Sequence, residues 1–335
     1  MRGKLLLYMW VGITSTSLAQ IAATKSFGFL DVPNNARLAA LGGVNVSLTD
    51  RDVNFFHSNP SLAGDTLTGT ASASYQFYIA DIGIASFAYS HNFSGIGAVV
   101  FGVQHLDYGS IKGYDATGQE IGEFKSGETA LIVSKSHQIS HFRLGANLKF
   151  AFSNIAGYRA NALLTDIGGV FIHPKQDFRA GLTIRNIGLM LSEYSETSDT
   201  SLPFDVQVGF TFKPEHMPVR FSLCAYNLTG EKNYFDSKDG EPEPGTLDKV
   251  LRHFNFGAEI LVHKNVNVMI GYNHLAHQEL KLPEGGGGAG LSFGFSAMIK
   301  TFELVFSRSA YVAGNAGYAF TLSKDIDNMM KRRKI

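Results

Sequence analysis

Cysteine, tryptophan and long apolar runs are almost absent from this 335-residue chain. The single cysteine, Cys224, excludes an intrachain disulfide. With no partnered base near it in sequence, it reads as a small inward strand residue rather than a nucleophile. The one tryptophan, Trp10, falls in the N-terminal leader, so any aromatic girdle must come from the 13 tyrosines and 26 phenylalanines. Charged residues make up 17%, against roughly a quarter in ordinary domains. The 29 basic and 29 acidic residues cancel, which removes the electrostatic basis for nucleic-acid binding. Helix-forming stretches of Leu, Ala, Glu and Lys are nearly missing. No window beyond the leader approaches the about twenty apolar residues of a membrane helix. A membrane home would therefore require a barrel.

What is present begins with a leader. Arg2 and Lys4 supply charge, Leu5 to Ile13 an apolar core, and Ser17-Leu18-Ala19 a small-x-small cleavage site. Residues 1–19 read as a secretory signal peptide, too short in its apolar core to anchor as a helix. After residue 69 the chain alternates apolar and polar residues with period two. The clearest case is 142–152, Phe-Arg-Leu-Gly-Ala-Asn-Leu-Lys-Phe-Ala-Phe, whose apolar face is Phe142, Leu144, Ala146, Leu148, Phe150 and Phe152. A soluble sheet buries such a face against a second layer; a transmembrane barrel turns it to lipid and its polar face inward.

Periodicity and turn signals together predict about fourteen strands, at 70–79, 82–91, 96–107, 127–138, 141–154, 160–172, 177–187, 204–213, 218–228, 252–263, 265–274, 289–300, 302–309 and 315–323. Links after even strands are short, while 108–126, 188–203, 229–251 and 275–288 are long. That alternation marks an outer-membrane antiparallel barrel, with tight periplasmic turns and longer extracellular loops. An immunoglobulin-type sandwich has no reason to alternate so. The expected organisation is an all-β protein: a barrel over 70–323, a small N-terminal plug-like element over 20–69, and a basic periplasmic tail over 324–335. Both termini are expected in the periplasm. The plug segment reads as a compact element at the barrel's periplasmic mouth, with a short helix from Ala36 and a turn at Asn59-Pro60.

Phe29-Leu30 with Pro33, then Ala36-Arg37-Leu38-Ala39-Ala40-Leu41-Gly42-Gly43, and later Asn59-Pro60-Ser61-Leu62, form a motif. With the barrel behind it, this stretch resembles the FadL-like superfamily, in particular the PorV/PorQ group of the Bacteroidetes type IX secretion system. The resemblance covers nearly the whole chain, but only the N-terminal motif is specific. It implies a fourteen-stranded barrel in a cell-surface attachment complex. There, PorQ-like barrels hold the surface protein PorZ alongside the sortase-like PorU and its shuttle PorV, and cargo is joined to lipopolysaccharide. The barrel would be a non-enzymatic anchor without cofactor, in contact with outer-membrane lipid. Physical roles fit the motif residues. Gly42 and Gly43 permit positive φ or close backbone approach. For Arg37 two readings stand: it pairs with a lumenal acid such as Asp166 or Glu259, or it faces periplasmic water.

Other constellations carry less. His137 and His141 flank a tight turn, and His274 and His277 open a long loop, with no cysteine or carboxylate at zinc spacing. The glycines at 285–288 lack the Lys-Ser/Thr and helix of a phosphate loop. No nucleophile-elbow sequence supports a hydrolase. Two functions therefore compete: an anchor binding a partner through its long loops, and a FadL-like channel for hydrophobic or amphipathic solutes. The anchor predicts a closed lumen and apolar residues on the loops. Candidates are Tyr108, Ile111, Tyr114, Ile121 and Phe124 in the first long loop, and Tyr234 and Phe235 in the third. The channel predicts an apolar pocket near the plug and a lateral opening.

Overall fold

The computed structural model describes residues 24–195, 200–229, 244–281, 288–311 and 315–326; the leader and most of the tail lie outside them. Fourteen antiparallel strands close into one barrel. The first seven are β1 (Thr70–Phe77), β2 (Gly83–Phe93), β3 (Gly97–Tyr114), β4 (Glu120–Ile139), β5 (Phe142–Ile155), β6 (Tyr158–Ile172) and β7 (Asp177–Ser192). The second seven are β8 (Asp205–Lys213), β9 (Val219–Ala225), β10 (Phe254–His263), β11 (Val266–Asn273), β12 (Leu291–Ile299), β13 (Phe302–Ala310) and β14 (Ala316–Asp325). Each strand pairs with its sequence neighbours, and β14 closes the ring on β1 with Phe320 opposite Tyr75. We call the end where β1 starts and β14 finishes the lower rim, and the other the upper rim.

Alternation becomes an inside-out protein. On β5, Leu148 is 57% exposed and Lys149 beside it 2%. Phe101, Phe150, Phe210, Phe256, Phe295 and Phe320 are likewise exposed, while Gln104, Asn147, Thr211, Asn255, Ser296 and Thr321 are buried. Apolar outside and polar inside is the reverse of a water-soluble sandwich, and only a hydrocarbon surrounding makes it favourable.

The lumen is full. A plug at the lower mouth is the sequence expectation; the structure corrects it to a column through the whole barrel. At the upper end Thr24–Lys25 pairs in parallel with Thr200–Ser201, in the upper link between β7 and β8. Phe27, Phe29 and Leu30 pack there on Leu106, Ile132 and Leu164 of the tall wall formed by β3 to β7. The chain then descends through α1 (Ala36–Ala40), packed on Met269 and Val305, to short 3-10 turns that lead into β1. The described chain thus starts at the upper rim and ends at the lower.

The column needs little regular structure because the wall satisfies its backbone. Gln104 donates to the Phe29 carbonyl, Arg185 to that of Leu30, Ser86 to that of Asn34, Asn147 to that of Phe56, and Asn255 to those of Leu41 and Val44. Buried carbonyls must find a donor somewhere, and here the polar strand faces supply it.

Two boundaries differ from the sequence reading. The last strand extends to Asp325, so Lys324 belongs to the barrel rather than the tail. The supposed loop 108–126 is mostly strand, since β3 and β4 run on to Tyr114 and from Glu120. A bulge between Asp107 and Ser110 shifts the register there, which breaks the period-two signal without ending the pairing.

Candidate functional site

The motif residues seat the column. Asn35 caps α1 by accepting the Leu38 amide at 2.9 Å. Gly42 and Gly43, at φ of +89° and +94°, end the helix, and the Gly43 amide returns to the Leu38 carbonyl at 2.9 Å. This is the left-handed exit that favours glycine. Asn59 accepts from the amide and hydroxyl of Ser61 at 3.0 and 2.7 Å and donates to the Val46 carbonyl at 2.8 Å. The wall opposite is glycine. A Cβ on Gly168 would overlap Asn59, one on Gly145 would overlap Pro60, and one on Gly271 would overlap the Leu41-Gly42 backbone. Pro33 offers its carbonyl to Gln76, and Phe29 and Ala36 are buried against the wall.

Charge locks column to wall. Arg37, from α1, donates to Glu259 Oε1 at 2.9 Å through Nε and 2.7 Å through Nη2, and to Asp50 at 2.6 Å. Arg220, the register partner of Glu259, donates to Glu259 Oε2 at 2.6 Å and to Asp50 at 2.9 Å. Two column residues and two wall residues alternate in sign around a closed ring. Burial pushes the Asp50 carboxyl up, but Arg37 and Arg220 outweigh it and hold it well below the usual carboxylate range. Of the two acids expected for Arg37, Glu259 is its partner. Asp166 instead pairs with Lys149 at 2.7 Å and accepts the Asn186 amide at 2.8 Å, where β7 takes a φ of +58°.

Beside the column, a cavity of about 300 Å³ opens toward the upper rim. Its floor includes Asn34, His57, Lys149 and Arg185; nearer the rim are Tyr78, Tyr226, Leu275 and Tyr311. Burial, with Lys149 and Arg185 nearby, lowers the His57 imidazole to about 3, so it is neutral at ordinary pH. The cavity lining mixes polar side chains such as Gln104, Asp205 and Gln207 with apolar ones such as Leu38, Ile132 and Leu275.

The second feature is a ribbon. Pairing of β2 with β3 ends at Gly83–Asp107, and of β4 with β5 at Gly127–Asn154. Beyond those points β3 and β4 pair only with each other among the described residues, from Ser110–Lys125 to Tyr114–Glu120. Seven residues at about 3.3 Å each carry it about 20 Å past the wall. One face is charged, with Lys112–Glu120 at 3.3 Å and Ser110 donating to Glu123 at 2.7 Å. The other places Ile111 opposite Phe124, whose ring covers Gly113. On this face Ile111 and Phe124 are 45 and 36% exposed; Tyr114, opposite Glu120 on the charged face, is 57% exposed, and Ile121 at the register shift 58%. Tyr108 is not part of this surface: its hydroxyl donates to Glu128 at 2.7 Å and its ring packs on the lumenal apolar cluster. Tyr234 and Phe235 lie outside the described residues. The ring through Arg220, and the ribbon's status as strand, were not legible in the sequence; the bulge at Gly109 was the available signal for the latter.

No protein-family model matches the chain, and no curated protein matches it. Among solved structures, the toluene transporter TbuX of Ralstonia pickettii superposes with a TM-score of 0.50 at 11% identity, covering 89% of this chain and 99% of that one. The monoaromatic hydrocarbon channel TodX, as a deltaS2 mutant, and a Pseudomonas aeruginosa FadL homologue give TM-scores of 0.49 and 0.47 at 12% and 10% identity, each covering 87% of this chain and 98% of its own. The protein has the fold of the FadL-like outer-membrane barrels: closed, antiparallel and fourteen-stranded.

Proposed function

We propose that this protein is a non-enzymatic outer-membrane anchor that holds a surface protein through the ribbon 108–126. The observation that carries the reading is the ribbon itself. An isolated two-stranded ribbon is marginal in water, and this one exposes an apolar face and, among the described residues, two unpaired edges at the upper rim. A docked partner removes both liabilities. The filled lumen supports the same reading, because a barrel whose column is locked by a buried ion ring is built to hold rather than to pass. Through the motif at Phe29 to Pro60, the particular anchor is a PorQ-like member of the type IX attachment complex. Its surface partner is PorZ-like, with PorU, PorV and lipopolysaccharide nearby and the upper rim outward.

The test is affinity purification of the barrel from its own outer membrane. A stoichiometric PorZ-like partner, lost when residues 109–125 are replaced by a short turn, is the expected result. Cargo still processed and retained on the surface after gene deletion would sink the secretion role. The second reading, a FadL-like channel, draws on the fold shared with the toluene transporter. It predicts recovery of the barrel alone with bound hydrocarbon or lipid.

A further inference from the structure

The outer face of β8 to β14, β1 and β2 is turned to hydrocarbon, and among the described residues of these strands only two Lys, Arg, Asp or Glu side chains stand on it. Lys324, at the lower rim, lies 3.9 Å from the centre of the Phe302 ring. Arg308 stands near the upper rim, two residues before Ala310 at the end of β13. At about 3.3 Å per residue its Cα lies about 7 Å below that end, within reach of the headgroup layer for a long side chain. It is exposed, and its cross-strand neighbours are aromatic, Phe293 on β12 and Tyr318 on β14. No carboxylate pairs with it among the described residues. A charge on the lipid face is costly unless something meets it.

The surroundings narrow the occupant. Below Arg308, the Phe306 ring centre is 5.6 Å from that of Phe295, 5.0 Å from Phe320 and 6.2 Å from Tyr318, so the guanidinium stands at the top of an aromatic floor. One register row runs from Arg308 through Phe293 and Ile270 to Ala258, across β13, β12, β11 and β10. At Ala258 the outer wall is notched by an apolar cavity of about 370 Å³, bounded by Phe210, Phe221, Phe256 and Ile270. Three strand spacings of about 4.8 Å separate Ala258 from Arg308, about 14 Å along the wall. A guanidinium fork matches phosphate in two parallel hydrogen bonds, and rings and a notch receive hydrocarbon. A plain hydrocarbon would leave Arg308 unmet, and a free phosphate would leave floor and notch unfilled. A lipid with a phosphate and several acyl chains meets all three.

We infer that the outer wall from β10 to β14 binds a phosphorylated, multiply acylated glycolipid of the outer leaflet, with its phosphate on Arg308 and an acyl chain in the notch at Ala258. The inference rests on the outward orientation of the upper rim proposed above, and not on the surface partner. Labelling of Ala116→Cys in the ribbon's turn on whole cells reports that orientation separately. The experiment uses the full barrel in detergent, with phosphorylated lipid A, lipid A stripped of phosphate, and phosphatidylglycerol as probes, read by native mass spectrometry. One phosphorylated lipid A is expected per barrel, with the stripped form bound about tenfold more weakly. Arg308→Gln should weaken the phosphorylated form about tenfold and leave the stripped form unchanged. Ala258→Phe, which fills the notch, should weaken both. The thermal midpoint of each variant, measured alongside, reports whether the barrel is still folded. The inference is overturned if folded Arg308→Gln binds phosphorylated lipid A as the parent does, if folded Ala258→Phe binds both forms as the parent does, or if phosphatidylglycerol displaces lipid A at equal concentration.

Discussion

Arg37 and Glu259 stand 222 positions apart in the chain and 2.7 Å apart in the fold, each only 2% exposed. Their contact ties the N-terminal column to the barrel wall. Glu259 is shared with Arg220 and Arg37 with Asp50, so removing any one member leaves an uncompensated charge inside the barrel.

Arg37→Ala should therefore destabilise the protein by about 3–5 kcal/mol, the usual result of breaking a buried pair from one side. Replacing Arg37 and Glu259 together with Met and Gln should cost less than the sum of the two single changes. Urea unfolding followed by circular dichroism measures both; an Arg37→Ala barrel as stable as the parent would refute the lock.

Acid should loosen the column. The Asp50 carboxyl is held below its unfolded value, so its contribution is complete above about pH 4 and fades as pH falls further. His57 is lowered from 6.5 to about 3, so the unfolded chain binds more protons between those values and stability falls as pH drops through that window. Stability should decline from pH 6.5 to 3, and His57→Gln should flatten the upper part of the decline. A flat profile in the parent protein would count against both assignments.

The glycines opposite the column should not tolerate side chains. Gly168→Val and Gly271→Val each place a Cβ where Asn59 or the Gly42 backbone stands. The expected outcome is a barrel that still assembles but whose residues 24–69 become sensitive to protease and whose lumen conducts in planar bilayers. Intact protection in both variants would mean that the column does not depend on this close approach.

The ribbon should be separable from the barrel. Ile111→Asp with Phe124→Asp alters only its apolar face, so the thermal midpoint should stay within about 0.5 kcal/mol equivalent of the parent, as for surface changes generally. Partner capture should be lost. A variant that still captures its partner would place the docking surface elsewhere on the upper rim.

Much of this architecture was readable in the chain. Leu144, Leu148 and Phe150 against Arg143, Asn147 and Lys149 determine a strand with one apolar face, because side chains in a strand alternate sides. Fourteen such segments, without a membrane helix, allow little besides a barrel in a membrane. The motif glycines also announced their conformations, since Gly42 and Gly43 do adopt positive φ. Tertiary structure alone decided that the N-terminal segment threads the whole lumen, and that Arg37 meets Glu259 while Asp166 goes to Lys149. The reason is physical. Periodicity is local and records which face a residue presents, whereas pairing inside a closed barrel depends on registers set by strands far apart in the chain.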